Sequence, residues 1–138
     1  MIGIVIVTHS QLGAELINAA EFILGARPEG IVPVSVDLKE NAADLRKKIA
    51  RAIQEVDKNQ GVLILTDMFG GTPSNLSYSF LEEGHIEVLS GVNLPIIIKA
   101  VTSREKMELC PLALNLEAFG KKSISLASGL LKGNKKKG

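Results

Sequence analysis

Gly3-Ile4-Val5-Ile6-Val7-Thr8-His9-Ser10 and Gly61-Val62-Leu63-Ile64-Leu65-Thr66-Asp67-Met68-Phe69-Gly70-Gly71-Thr72 decide the fold. Each is a short aliphatic run that stops at a polar residue. Such runs suit strands buried on both faces of a parallel sheet. Set side by side in parallel, the two bring His9 and Asp67 out at one edge of the sheet, and a glycine pair follows the aspartate.

Outward from these runs the period changes. Leu12, Leu16, Ala19, Ala20, Ile23 and Leu24 recur at three- and four-residue spacing, which predicts a helix stopped by Gly25 and Pro28. Ile31 to Val36 reads as a second strand. Asn41 suits the N-cap of a helix through about Asp57, with Leu45, Ile49, Ile53 and Val56 on one stripe. Thr72-Pro73 opens a third helix, expected to carry Leu76, Phe80 and Leu81 and to end near Gly84. Ile86 to Leu89 reads as a fourth strand. Asn93 to Thr102 reads as a helix with Pro95 in its first turn, although Ile96-Ile97-Ile98 alone also fits a strand. Leu112 to Phe119 is weakly helical, with Pro111 near its start. Ser123 to Ala127 alternates and is expected to form a short fifth strand.

Strands alternating with helices predict an α/β fold: a doubly wound sheet of four parallel strands in the order 2-1-3-4, with helices on both faces and right-handed crossovers. Residues 1–130 are expected to form one domain. Residues 131–138 are expected to be a basic disordered tail.

The bulk composition narrows the function. Of 138 residues, 46% are hydrophobic but only 4% aromatic, with no Trp, so the core is aliphatic. A net charge of +1 is too balanced for strong overall attraction to nucleic acid or to a membrane surface. No apolar run is long enough to span a bilayer, and the N-terminus lacks a signal-peptide pattern, so a cytoplasmic location is expected. The single cysteine, Cys110, is expected to be a small buried hydrophobe. No metal-ligand cluster is visible, so neither a metal nor a cofactor is expected.

In a doubly wound sheet, ligands bind beyond the carboxyl ends of the strands, where successive connections leave toward opposite sides. Strands one and three flank that crevice in a 2-1-3-4 order. A neutral imidazole nitrogen is a competent nucleophile toward phosphorus. A carboxylate on the other ring nitrogen sets the tautomer and stabilises positive charge on the ring. Phosphoryl transfer then needs donors for the phosphoryl oxygens. Ser10 and Gln11 begin the first helix, and Gly70-Gly71-Thr72 opens the third, so both could offer backbone N–H groups. Taken singly, each residue has a plainer reading as a surface histidine, a turn aspartate or a glycine turn. Taken together at the ends of strands one and three, they point to a phosphate-handling site far more strongly than any one alone. His85, at the amino end of the fourth strand, faces the other edge and reads as structural. An aspartyl-phosphate receiver would need an acidic pair where this chain has Thr8-His9-Ser10. A catalytic metal usually takes three protein ligands, and only His9 and Asp67 are at hand.

The two motifs, extended through Pro73-Ser74-Asn75 and joined by Ser90-Gly91-Val92-Asn93-Leu94-Pro95, resemble the IIA domain of the mannose family in the bacterial phosphoenolpyruvate-dependent sugar phosphotransferase system. The resemblance covers roughly residues 1–105 and is poor over Met107 to Gly120. It implies that His9 is transiently phosphorylated. The group would come from an HPr-type phosphocarrier and pass to a separate IIB subunit, which hands it to a sugar, so any membrane permease is met only indirectly. It implies that Asp67 orients and stabilises His9. Thr72 would help to hold the phosphate, with Ser10, Gly70 and Gly71 expected beside it. It also implies a homodimer in which an antiparallel strand, Ser123 to Ala127, is exchanged. The alternative is a signalling module of the same fold, phosphorylated at His9, that binds a regulator in one state only.

Overall fold

The computed structural model describes residues 1–137. Four strands, β1 (Gly3–His9), β2 (Ile31–Val36), β3 (Val62–Thr66) and β4 (Ile86–Ser90), pair in parallel in the order β2-β1-β3-β4. This is the expected doubly wound sheet. Between and after them run α1 (Leu12–Leu24), α2 (Ala42–Val56), α3 (Thr72–Tyr78), α4 (Leu94–Ser103), α5 (Leu109–Lys122) and α6 (Ala127–Lys137). Among the described residues, no helix is long and apolar enough to cross a membrane.

Strand alternation divides the core into two layers. Ile4, Ile6, Leu63 and Leu65 face one way and pack with Ile17 and Ala20 of α1, Ile97 and Ala100 of α4, and Leu112 and Leu116 of α5. Val5, Val7, Val62 and Ile64 face the other way, against Leu45, Ile49 and Ile53 of α2 and Leu76 of α3. At one edge of the sheet, Pro33 in β2 leaves one fewer N–H for an incoming strand. Arg104, at the end of α4, is buried and donates to the carbonyls of Ile2, Glu29 and Gly30. It thereby stitches that helix to the amino ends of β1 and β2. Burial pushes its guanidinium below the ordinary value, opposed by the charges of Glu105 and Glu29.

Local signals explain most element ends. The Asn41 side chain accepts from the Asp44 N–H at 2.8 Å, and that of Asn93 from the Ile96 N–H at 2.9 Å, so both act as N-caps. The Asn93 cap decides that Ile96-Ile97-Ile98 is helical. Helix α3 is shorter than expected. It stops at Tyr78 because Ser77 and Ser79 donate back to the carbonyls of Pro73 and Leu76. Helix α5 is longer than expected: Pro111 is its third residue, where an N–H has no intrahelical partner to lose.

One expectation is corrected in the C-terminal part. Helix α5 turns Leu109, Leu112, Leu116 and Gly120 inward, and this leaves Cys110 exposed rather than buried. The stretch Ser123 to Ala127 forms no strand within the chain: Ser123 closes α5, residues 124–126 lack regular structure, and Ala127 opens α6. A strand that pairs only with a second copy has no ladder in a single chain. Residues 131–137, expected as a disordered tail, continue helix α6, and residue 138 lies outside the described residues.

Leu63 is fully buried in the central strand β3, so Leu63→Ala is expected to cost about 2–5 kcal/mol in urea unfolding. Cys110→Ser, on the exposed face of α5, is expected to change stability by less than about 0.5 kcal/mol in the same measurement.

Candidate functional site

The last pair of the β1–β3 ladder is Val7 with Thr66. His9 follows two residues after Val7, and Asp67 one residue after Thr66, so the register alone places them at one rim. Helices α1 and α3 leave that rim toward opposite faces of the sheet, which makes the gap between β1 and β3 the switch-point crevice.

Asp67 holds His9 twice with one oxygen. Its Oδ2 accepts the His9 backbone N–H at 2.9 Å and lies 2.8 Å from the ring Nδ1. Its Oδ1 accepts the Met68 N–H at 2.9 Å. Burial opposes ionisation of this carboxyl, but the bonds from His9, the charge of the ring and the Met68 N–H outweigh it, and the carboxyl lies below its ordinary value. Ionised, the group is an acceptor only, so Nδ1 carries a proton, and in the neutral ring Nε2 is the nitrogen with the lone pair. The imidazole is 38% exposed, while the Asp67 side chain is 9% exposed: the carboxylate is largely covered and the ring can be reached.

Gly71 sits close to the free side of the ring. A Cβ on Gly71 would lie 2.9 Å from His9 Cε1 and 3.5 Å from Nε2, so a side chain there meets the imidazole. Gly70 has φ of +85°, a conformation that L side chains rarely adopt. Gly71 is the N-cap of α3, without a side-chain cap bond, and Thr72 is its exposed first residue. Ser10 is placed differently. It is exposed with φ of +51°, and its N–H is bonded to the Val36 carbonyl at 3.3 Å. The Gly13 N–H of α1 is likewise bonded, to the Thr8 hydroxyl at 2.8 Å. Ser10 therefore has its hydroxyl, not its amide, to offer a ligand.

A group of hydroxyls behind the loop has no part in the expected site: Thr66, Ser74, Tyr78 and Ser90. Ser90 Oγ lies within 3.2 Å of the other three. The i, i+4 spacing of Ser74 and Tyr78 on one helix face is the signal that points to it. Four apolar side chains stand exposed in the segments at this rim, Leu12, Leu38, Met68 and Phe69. Among the described residues, no three of His, Cys, Asp and Glu cluster as metal ligands do. His85 is at the opposite edge, its Nε2 2.7 Å from Asp57 Oδ2, in agreement with a structural role.

The fold and site define a doubly wound α/β domain with an imidazole–carboxylate pair at its switch point, backed by a glycine turn. Comparison with known proteins makes the assignment specific. Residues 3–116 match the family described as the PTS system fructose IIA component. The chain is 31% identical over 129 residues to the fructose-specific EIIA component of Bacillus subtilis, a match covering 93% of this chain and 88% of that one. It is 33% identical over 128 residues to the mannose-specific EIIAB component of Escherichia coli K12, covering 89% of this chain but 39% of that longer protein. Its fold is similar to that of a phosphotransferase system EIIA component from Streptococcus agalactiae, with a TM-score of 0.83, 29% identity, and coverage of 93% and 98% of the two chains. A sigma-54 interaction domain protein from Enterococcus faecalis has the same fold, at a TM-score of 0.71, 15% identity, and coverage of 88% and 92%. The chain belongs to the fructose and mannose IIA family and is a phosphotransferase component of the sugar phosphotransferase system.

The His85–Asp57 pair gives a pH-dependent test of its structural role. The bond and charge of Asp57 raise His85 against slight desolvation, helped by Glu82. Asp57 is lowered by the His85 bond first and then by the Asn59 N–H. The pair's contribution is complete between the ordinary carboxylate and imidazole values, about pH 4 to 6.5. It is lost as pH rises through the raised value of His85, or falls through the lowered value of Asp57. The stability gap between wild type and Asp57→Asn, read by urea unfolding, is therefore expected to be wider at pH 5.5 than at pH 8.5.

Proposed function

We propose that His9 accepts a phosphoryl group at Nε2 from the phosphohistidine of an HPr-type carrier and donates it to a IIB subunit. The observation that carries this reading is the 2.8 Å contact of His9 Nδ1 with Asp67, which makes Nε2, beside Gly71, the lone-pair nitrogen of the neutral ring. As the group arrives, the bond from phosphorus to the donor nitrogen breaks and the bond to Nε2 forms. The donor nitrogen keeps the electron pair, and the Nδ1 proton stays in its bond to Asp67. The ring becomes cationic, and the adjacent carboxylate stabilises that charge. The Gly70-Gly71-Thr72 turn and the hydroxyls of Thr72 and Ser10 would hold the phosphoryl oxygens. Phosphoryl transfer consists mostly of such positioning and electrostatic stabilisation.

Both donor and acceptor would be proteins, so the rim must dock a surface as well as a small group. Leu12, Leu38, Met68 and Phe69 supply exposed apolar contacts around the histidine, a composition suited to a protein partner. A homodimer belongs to the same reading. Strand β4 is at an edge of the sheet, and Ile124 and Leu126 are 81% and 76% exposed in a stretch without regular structure. Pairing that stretch antiparallel to a second copy's β4 would cover both.

The second reading, a phosphorylation-state signalling module, draws on the sigma-54 interaction domain protein of the same fold. In that case His9 is still phosphorylated, but a regulator rather than a IIB subunit binds one of the two states.

Incubation with phosphoenolpyruvate and the general carrier proteins is expected to label the wild type with an acid-labile, base-stable phosphoramidate. His9→Ala is expected to take up no label, and persistent labelling of that variant refutes the assignment. Asp67→Asn is expected to label more slowly, by about 10- to 100-fold, because the ring loses the partner that fixes its tautomer. Gly71→Ala is expected to slow labelling as well, since its methyl group displaces the imidazole. Transfer from labelled protein to a IIB subunit separates the transport reading from the signalling one.

A further inference from the structure

We propose that Ser90 is a positioning residue for His9, acting through a junction of four hydroxyls that fixes Asp67 and the Gly70-Gly71 turn against the imidazole. This rests on the reading of His9 as the phosphoryl acceptor.

Ser90 Oγ is 2.8 Å from Thr66 Oγ1, 3.2 Å from Ser74 Oγ and 3.1 Å from the Tyr78 hydroxyl. A serine hydroxyl has one proton and two lone pairs. Thr66 donates into one lone pair, and the remaining lone pair and the proton serve Ser74 and Tyr78. The capacity of Ser90, the last residue of β4, is thus filled by two elements at once: the end of β3 and one face of α3. Thr66 and Ser74 are fully buried, so both depend on such partners.

The junction brackets the segment that touches His9. Thr66 directly precedes Asp67, and its carbonyl accepts from the N–H groups of Gly91 and Val92 at 3.0 and 2.9 Å. At the other end, Ser74 and Tyr78 anchor α3 just after Gly71 and Thr72. The Tyr78 ring also packs on Phe69 of the loop, with centroids 6.4 Å apart. Asp67 and Gly71 lie inside the bracket: Asp67 bonds the His9 ring, and a side chain at Gly71 would meet it. None of the four hydroxyls bonds the imidazole. Their effect passes through the geometry of the loop, where small displacements change transfer rates steeply.

The test compares wild type with Ser90→Ala, Ser90→Thr and Tyr78→Phe. Phosphorylation is measured against donor concentration, and the His9 ring proton and nitrogen signals are recorded by NMR. Ser90→Ala is expected to lower the maximal labelling rate about 10-fold, to leave the half-saturating donor concentration unchanged, and to shift the His9 Nδ1 signal. Ser90→Thr, which keeps the hydroxyl, is expected to restore most of the rate. Tyr78→Phe, which keeps the ring, is expected to give a smaller loss in the same direction, and it carries the test if Ser90→Ala does not fold. Leu116→Ala, in the core away from the rim, serves as a control for lowered stability alone and is expected to leave rate and signal unchanged. A wild-type rate and His9 signal in Ser90→Ala, or an equal change in Leu116→Ala, overturns the proposal. Absence of labelling in wild type sinks the phosphoryl-acceptor reading instead, and the NMR signals still decide whether Ser90 positions the ring.

Discussion

Asp67 Oδ2 accepts from the backbone N–H of His9 and pairs with its ring Nδ1, and the orientation of the imidazole depends on these two hydrogen bonds. A single bond to the ring would leave the imidazole free to turn with its own side chain. Because the same oxygen also grips the strand, the ring orientation is referred to the sheet. The arrangement requires an ionised carboxylate in a side chain that is 9% exposed, and three donors rather than solvent keep it so. The register of β1 on β3 is what allows it. A slip of one residue would move the apolar set of β1 to the wrong layer and carry His9 away from Asp67.

The scaffold is rigid where the site needs it to be. Ile4 and Ile6 fill one layer, Val5 and Val7 fill the other, and all four are fully buried. The loop that follows β3 has less to hold it, since Met68, Phe69 and Gly70 are all exposed. The order of that loop must come from its ends. Asp67 is tied to β1 and α3 is tied to β4, so the exposed turn spans two fixed points. This lets a segment with little buried apolar surface deliver Gly71 to the ring.

Most of this was legible in the residues because local signals and the fold agree. The two aliphatic runs, the Asn41 and Asn93 caps, and Pro73 and Pro95 in first turns each point to the element that forms. Where reading and structure part, a longer-range condition decides. Ser77 and Ser79 shorten α3 by bonding back to its carbonyls, and serine frequency alone carries no such information. Alternation in Ser123 to Ala127 sets a period but supplies no partner strand, and within this chain none pairs with it. Cys110 is exposed because the inward stripe of α5 begins at Leu109, a phase that the weak pattern around Pro111 leaves open. The junction at Ser90 depends on the β3–β4 register and on the rotation of α3 together, so only the assembled fold brings its hydroxyls within reach.

The two histidines differ in how the fold presents them, and the proposed phosphoryl-acceptor role of His9 rests on that difference. Both are paired with an aspartate at under 3 Å, and their exposures are nearly equal, 38% and 35%. Neither accessibility nor a carboxylate partner distinguishes them. His85 presents Nε2 to Asp57 at the amino edge, where parallel strands begin and the connections do not open a crevice. His9 presents Nδ1, and this turns Nε2 outward toward a glycine turn whose approach a methyl group would block. The nitrogen that is left over, and the backbone that faces it, set the chemical role. In this fold both follow from the edge of the sheet at which the histidine stands.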